Sequence, residues 1–451
     1  MMTAAANLSA IVTAPGALPG VGHALKFARD PLEFLAGLPA HGRLVRVLLG
    51  RRPLYFACDP ESVTQILMEP RIFDKGGIFF DKARPLIGNG LAASQWADHR
   101  WQRRVLQPAF HPDRITEYAK VFAQEAHALA ASWKPGEVID LREQMHAAVM
   151  RMLGRSLYHL SAEQQAEVVR SLPIAERGDF QRIAMPVDWW FRLPLPSNRR
   201  YHEAHRRLRR VSAEVITAHR RADSPDSPVM SMLIRTLDTG TGRPLTDKEI
   251  HDQVITFLIG GSDTTAVALS YAFYLLGRHP EVERRVHAEV HAVISAQSRP
   301  APISWDDLPR LDYTRRVLTE TLRLYPPAWL LTRVVTANTE LAGYRLPPGT
   351  ELAYSTYMLH RDPVHFPDPE RFDPDRWLPG NAQKIPHGAM IPFAAGNRKC
   401  IGDTFAMTEA HLSVAAVAAR WTLRLAPGFT LRPKPTFTLE PGRLPMICSP
   451  R

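Results

Sequence analysis

Apolar residues recur at helical spacing along most of this chain, and alternating apolar–polar runs are few and short. The stretch from Thr13 to Pro31 is rich in Pro and Gly and reads as an extended lead-in. Residues 43–57 hold two apolar runs around Gly50-Arg51, which predicts a hairpin. From Phe73 to Ser94, Gly76, Gly77, Gly88 and Gly90 predict a loop, followed by a helix near 95–107 and mostly helical patterns to Ser171. Periodicity breaks over 180–197, with Pro186, Pro194 and Pro196 and the aromatic cluster Trp189, Trp190 and Phe191, and residues 222–228 read as a polar loop. Thr246 and Glu249 form a capping-box pattern that opens the longest predicted helix, whose apolar run reaches Leu276 before Gly277 and His279-Pro280. About 30 residues of helix span roughly 45 Å, enough to cross a whole domain. A helix restarts at Pro280, another covers about 311–325 and stops at Pro326-Pro327, and short strands flank Pro347-Pro348-Gly349. Residues 358–392 are irregular and proline-rich; a final helix begins near Asp403 and leads into C-terminal strands. No internal repeat is present. The pattern predicts one mainly α domain with a small β region, after a flexible segment 1–14.

Composition narrows the class. Hydrophobic residues at 45% and charged residues at 22% describe a globular chain, and a formal net charge of +11 points to an acidic partner. Nucleic acid is disfavoured. Arg199, Arg200, Arg206, Arg207, Arg209 and Arg210 crowd one stretch, but Leu208, Val211, Val215 and Ile216 recur there at helical spacing, so the arginines read as the solvated face of an amphipathic helix. The three cysteines, Cys58, Cys400 and Cys448, are far apart and form neither a disulfide framework nor zinc spacing, which fits a reducing cytoplasm. Met1 to Pro15 has no basic-then-apolar signal pattern, so neither secretion nor a membrane anchor is expected.

Chemistry concentrates in residues 393–402, Phe-Ala-Ala-Gly-Asn-Arg-Lys-Cys-Ile-Gly. Cys400 sits on a tight loop just before a helix, where unpaired N–H groups and the macrodipole favour a thiolate. The alternative is a structural cysteine in a glycine-containing turn. The spacing F-x-x-G-x-R-x-C-x-G resembles the signature of the cytochrome P450 family, the heme-thiolate monooxygenases, and all five specified positions match. The resemblance implies a single P450 domain over 15–451 with heme b held through Cys400 as the axial iron ligand, where a thiolate pushes electron density that favours O–O cleavage. Arg398 then meets a heme carboxylate, Phe393 shields the sulfur, and Gly396 and Gly402 let the backbone approach the flat ligand.

Further landmarks follow in the family's order. Residues 260–265 read Gly-Gly-Ser-Asp-Thr-Thr inside the long helix, where two glycines cost about 1 kcal/mol each relative to alanine. Thr264 lies on the face of Gly260, and its hydroxyl can bond back into the loosened turn to leave a groove. The alternative is a kink at a packing contact. By resemblance this is the oxygen-binding groove, with Asp263 and Thr264 as the acid–alcohol pair that delivers protons. Glu320 and Arg323, one turn apart, are by themselves a weak motif, usually an exposed ion pair. The family joins such a pair to an arginine in a segment like Pro369-Glu370-Arg371-Phe372, so Glu320, Arg323 and Arg371 are read as a buried structural network. His99 and Arg103 are one turn apart on a helix ending at Pro108, and either clamp the heme propionates or are surface charges. Arg333 matches another propionate-binding arginine.

The implied substrate contacts, Phe79, Phe80, Ile259, Gly260, Ala328, Trp329, Leu330 and Leu331, are apolar and carry no charge. An uncharged hydrocarbon-like substrate follows. Phe73-Asp74-Lys75-Gly76-Gly77, Asn89-Gly90-Leu91-Ala92 and Leu193-Pro194-Leu195-Pro196-Ser197-Asn198 look like bacterial members that oxidise terpenes. The expected reaction is hydroxylation of an unactivated C–H bond of a sesquiterpene-like molecule in secondary metabolism, using O₂ and two electrons. A fatty acid, steroid or macrolide is the alternative substrate; a peroxide-driven enzyme or a non-catalytic heme protein is the alternative class. Electrons are expected from a separate acidic ferredoxin or flavodoxin with an NAD(P)H-dependent reductase.

Overall fold

A 32-residue helix, Asp247–Arg278, runs through the molecule for about 48 Å. Its capping box is formed: the Thr246 hydroxyl accepts from the Glu249 N–H at 3.3 Å, and the Glu249 carboxylate accepts from the Thr246 N–H at 2.8 Å. The helix is apolar and long enough to cross a membrane, yet 83% of its apolar stretch is buried inside the fold. It is apolar on all sides because other helices pack around it.

The computed structural model describes residues 7–184, 188–221, 227–235, 242, 244–296 and 302–451. Helices Pro112–Ser132, Leu141–Leu153, Ala162–Ala184, Pro196–Arg221, Pro280–Ser295, Asp312–Leu324 and Asp403–Ala418 gather around the long helix in one core. A second core underlies a five-stranded sheet with strand order Leu44–Leu49, Arg52–Ala57, Glu351–Tyr354, Leu331–Val335, Phe73–Asp74. Its first two strands are the predicted hairpin, registered Leu44 to Ala57 and Leu49 to Arg52. Pro445–Pro450 pairs with both Val138–Asp140 and Trp421–Leu425 at the other side of the domain. Of the first fourteen residues, Ile11 and Ala14 are buried, and the Ala14 N–H donates to the Arg46 carbonyl at 2.9 Å.

Three stretches differ from the sequence expectation. The lead-in contains a short helix, Ala24–Arg29, and a second, Pro31–Ala36, starts at its last residue. The loop expected over 73–94 contains the helix Ile78–Ile87, because Gly77 (φ 81°) and Gly88 (φ 58°) bound a helix rather than dissolve one. The aperiodic stretch 180–197 begins as helix up to Ala184 and ends in the helix Pro196–Arg221, with a short 3₁₀ turn Asp188–Arg192 between; Pro186 lies outside the described residues. Most of the polar loop 222–228 lies outside them too. The arginine-rich helix is amphipathic as expected, with Leu208, Val211, Val215 and Ile216 buried.

Candidate active site

An internal cavity of about 360 Å³ lies between the two cores, and Cys400 forms part of its wall. The cysteine loop is a tight turn: Ala394 (φ 57°) and Gly396 (φ 65°) reverse the chain, and the Cys400 N–H donates to the Phe393 carbonyl at 2.9 Å. Gly396 serves packing rather than a ligand. A Cβ there would stand 2.6 Å from the Leu67 carbonyl oxygen, whereas Phe393, Arg398 and Gly402 do line the cavity. Cys400 is accessible from the cavity side and enclosed by protein elsewhere. Burial therefore pushes the thiol up, the Asp403 carboxylate adds to this, and the Gly402 N–H, Arg103 and Lys75 pull it down. Burial outweighs these, so the helix N-terminus alone does not favour the thiolate, and a cation bound at the sulfur would supply that preference.

Cations converge on the same cavity. His99, Arg103, Arg333 and Arg398, the residues that the family resemblance placed at the propionates, all line it, and so does Lys75, which lies in the glycine-containing stretch after Phe73. Arg398 pairs with Asp74 and donates to the Ser94 carbonyl at 2.8 Å, while its Nε is buried without a partner. Burial pushes its guanidinium down to about 10 despite Asp74. Arg333 sits one strand period from Leu331, so both face the cavity, while Thr332 between them bonds the Gly76 carbonyl at 3.0 Å. Lys75 donates to the Ala92 carbonyl at 2.6 Å, and burial together with Arg398 and Arg333 drives its ammonium well below its ordinary value. The His99 imidazole is pushed down to about 3 by burial and by the surrounding Arg398, Lys75, Arg103 and Arg333, so it is neutral. The guanidiniums of Arg103, Arg333 and Arg398 and the Lys75 amine crowd one buried space, which favours an anion among them. A flat group with two carboxylates fits, and so does heme: Cys400 would hold its iron, and Lys75, His99, Arg103, Arg333 and Arg398 its propionates.

The opposite wall is the long helix. Thr256, Phe257, Gly260, Gly261, Thr264, Thr265 and Ala268 share the cavity face at helical spacing. The Thr264 hydroxyl donates to the Gly260 carbonyl at 2.6 Å, the expected back-bond. The two glycines have different reasons. A Cβ at Gly261 would stand 2.7 Å from Leu153 Cδ1, so that residue serves helix packing, whereas a Cβ at Gly260 would meet nothing within 4 Å and would fill the cavity. Ile259 and Asp263 do not line the cavity; one turn apart, they lie together off its face. Asp263 points instead to Arg142, Glu440 and Thr438. Phe79, Phe80, Ala328, Leu330 and Leu331 line the cavity, joined by Phe437, which stacks on Phe79 with ring centroids 5.3 Å apart. Trp329 does not. Its indole is buried on the other side, donating to the Thr436 carbonyl at 3.0 Å.

In the Glu–Arg cluster Glu320 and Arg323 meet, and Arg371 takes part through its backbone. Glu320 and Arg323 are fully buried, and Arg323 donates to Glu320 through Nε at 2.9 Å and Nη2 at 2.8 Å. Arg323 also donates to the carbonyls of His360, Pro369 and Arg371. Arg371 therefore contributes its backbone, and its side chain is exposed. The arginine beside Glu320 is Arg376, whose Nε lies 3.5 Å from Oε1, and Trp377 Nε1–H donates to Oε2 at 2.8 Å. The sequence repeats a Pro-x-Arg-aromatic unit, at Pro369 and again at Pro374, and the second repeat supplies the side chains.

The cytochrome P450 family model matches residues 13–445. The chain is 49% identical over 441 residues to a cyclooctat-9-en-7-ol 5-monooxygenase of Streptomyces melanosporofaciens, covering 97% of this chain and 95% of that one. It is 47% identical over the same length and coverage to cyclooctatin synthase of that organism. Pentalenene oxygenase of Streptomyces avermitilis is 41% identical over 417 residues, 92% of each chain. A thiol facing a cation-ringed cavity across from a Gly–Thr helix face is thus found in a chain matched from Thr13 to Pro445, and the protein belongs to the cytochrome P450 family of monooxygenases.

Proposed function

We propose that the protein hydroxylates an unactivated C–H bond of a cyclic terpene skeleton carrying few polar groups, in secondary metabolism. The observation that carries this reading is the chemistry of the cavity away from Cys400. Phe79, Phe80, Leu330, Leu331 and Phe437 supply an apolar wall, and nearby hydroxyls are already engaged: Thr264 with Gly260, Thr356 with the Ala328 carbonyl at 2.6 Å, and Thr438 with Asp263. The donor protons of these hydroxyls are spent, so a substrate carboxylate finds no free donor among them. Similarity to enzymes named for cyclooctatenol and pentalenene supports the terpene class.

Heme held at Cys400 would supply two-electron activation of O₂ and insertion of one oxygen atom into the C–H bond. The chain's part is positional and protonic. Apolar side chains exclude water and hold the skeleton, Thr264 presents a hydroxyl at the groove, and Asp263 is the acid that feeds protons toward it. Adding pentalenene or cyclooctat-9-en-7-ol to the heme-loaded protein is expected to shift the Soret band to higher energy, with a hydroxylated product by mass spectrometry. A fatty-acid panel that shifts the spectrum while terpenes leave it unchanged would overturn the substrate class.

The electron donor is proposed to be an acidic ferredoxin or flavodoxin, served by an NAD(P)H-dependent reductase in the cytoplasm. An open groove beside the cysteine loop, lined by Trp96, Arg100, Arg103, Arg104, Arg114 and Asn397, supports this. Arg100 and Arg104 are exposed one turn apart on the helix Trp96–Leu106. Reversing both to glutamate is expected to slow reduction by an acidic ferredoxin by roughly tenfold to a hundredfold at low salt, with less effect at high salt. Stopped-flow reduction under carbon monoxide reads this, and an unchanged rate would place the partner elsewhere.

A further inference from the structure

Asp263 is 2% exposed, and its carboxyl is turned away from the cavity into a cluster of acids. Its Oδ2 accepts from Thr438 Oγ1 at 2.6 Å, and its Oδ1 lies 3.4 Å from Arg142 Nη2. Arg142 is engaged chiefly with Glu440, donating to it from Nε at 3.0 Å and Nη2 at 2.6 Å. The Glu440 carboxyl in turn lies within hydrogen-bonding reach of Asp263. Glu176 faces the same group, and its Oε1 is buried without a partner. Three carboxyls thus surround one guanidinium.

The remaining titratable neighbours do not balance that charge. His146, on the helix of Arg142, is pushed down to about 4 by burial and Arg142, so it is neutral. Asp179, beside Glu176, accepts from Tyr201 at 2.7 Å and lies 3.7 Å from His205. Burial holds the Tyr271 phenol protonated. Two carboxyls share a hydrogen bond only when a proton lies between them. Burial and the neighbouring Asp263 raise Glu440 against the pull of Arg142, and burial raises Glu176 further, so both carboxyls hold a proton more tightly than an exposed glutamate does.

Of this cluster, Thr438 lines the cavity, whereas Asp263, Glu440, Glu176 and Arg142 do not. We propose that Thr438 is the hydroxyl through which protons held by the Asp263–Glu440 pair enter the cavity. This rests on Asp263 being the acid of the monooxygenase, as read above. At rest Thr438 donates to Asp263. When the shared proton settles on Asp263, its Oδ2 becomes the donor and Thr438 the acceptor. The Thr438 O–H proton then passes to an oxygen in the cavity, and the proton from Asp263 replaces it. A proton from solvent restores Glu440, whose side chain is 15% exposed. One proton enters, one leaves, and no electron moves in the relay.

The test compares Thr438→Val, Thr438→Ser, Asp263→Asn and Glu440→Gln in the heme-loaded enzyme with a ferredoxin electron supply. Replacing the hydroxyl by a methyl in Thr438→Val is expected to lower product formed per NAD(P)H by roughly tenfold and raise hydrogen peroxide, with serine returning it to within about twofold of wild type. Thr438→Ala serves the same comparison if valine folds poorly. Infrared spectroscopy of the heme-free and heme-loaded protein gives a readout independent of turnover. A protonated-carboxyl C=O band that shifts in D₂O is expected in wild type, displaced in Thr438→Val and diminished in Glu440→Gln. Wild-type coupling in Thr438→Val, with Asp263→Asn uncoupled, would overturn the Thr438 route while sparing Asp263. Wild-type coupling in Asp263→Asn would remove the acid, and the relay with it. Absence of the carboxyl band in wild type would also overturn the proposal.

Discussion

Cys400→Ala is expected to give a folded protein that shows no thiolate-type Soret band when reduced under carbon monoxide and has monooxygenase turnover at background. The loss should exceed about a thousandfold, which is ~4 kcal/mol of barrier. The fold should survive because the sulfur faces the cavity rather than a packed neighbour, so removing it takes little contact area away. The midpoint of urea unfolding for the heme-free variant is expected to match heme-free wild type. The heme-loaded wild type should be more stable than either, because a ligand that binds only the folded state adds stability that grows with the logarithm of its free concentration relative to its Kd. The other two cysteines serve as controls. Cys58 is buried under the sheet and donates to the Phe56 carbonyl at 3.4 Å, and Cys448 is buried in the C-terminal sheet. Neither lines the cavity, so Cys58→Ala and Cys448→Ala should keep the thiolate-type spectrum. A thiolate-type band in Cys400→Ala would overturn the ligand assignment.

What the sequence disclosed was what is local along the chain. The cysteine loop, the capping box and the Gly260–Thr264 pair lie within ten residues or fewer, where spacing determines geometry. Helical periodicity likewise recovered the amphipathic arginine helix and the long buried helix. Direction was harder to read. Ile259 and Gly260 are neighbours in sequence, yet 100° of helical rotation separates a core residue from a cavity residue. Trp329 and Leu330 divide in the same way at the entry to a strand. Contacts across long separations were not legible at all. Thr438 meets Asp263 across 175 residues, Arg142 meets Glu440 across 298, and Arg398 meets Asp74 across 324. Lys75 was hidden for another reason: a lysine among glycines reads as a solvated loop residue until its neighbours are known. The Cys400 thiol carries a related lesson. The macrodipole argument gave the correct sign of one contribution, but burial is larger and opposes it.

Arg323→Ala is expected to prevent accumulation of folded, heme-loaded protein, the largest structural effect among the residues discussed. Breaking a fully buried ion pair by removing one partner costs about 3–5 kcal/mol, against a total stability of about 5–15 kcal/mol. The loss goes beyond the pair. Without the guanidinium, the carbonyls of His360, Pro369 and Arg371 lose this donor, and the segment that carries them loses three of its ties to the helix Asp312–Leu324. Glu320 would keep the Asp373 N–H at 3.1 Å, the Trp377 indole N–H and the more distant Arg376, which soften the penalty without restoring the fork. Arg323→Lys should rescue little, because one ammonium cannot reproduce two parallel bonds to Glu320 and three to carbonyls. Arg371→Ala, by contrast, should change stability by less than about 0.5 kcal/mol, since any residue there supplies the same carbonyl. Arg376→Ala should fall between the two. Urea unfolding and heme content of the purified variants rank the series. Damage from Arg371→Ala equal to that from Arg323→Ala would return the Arg371 side chain to the network and displace Arg376 from it.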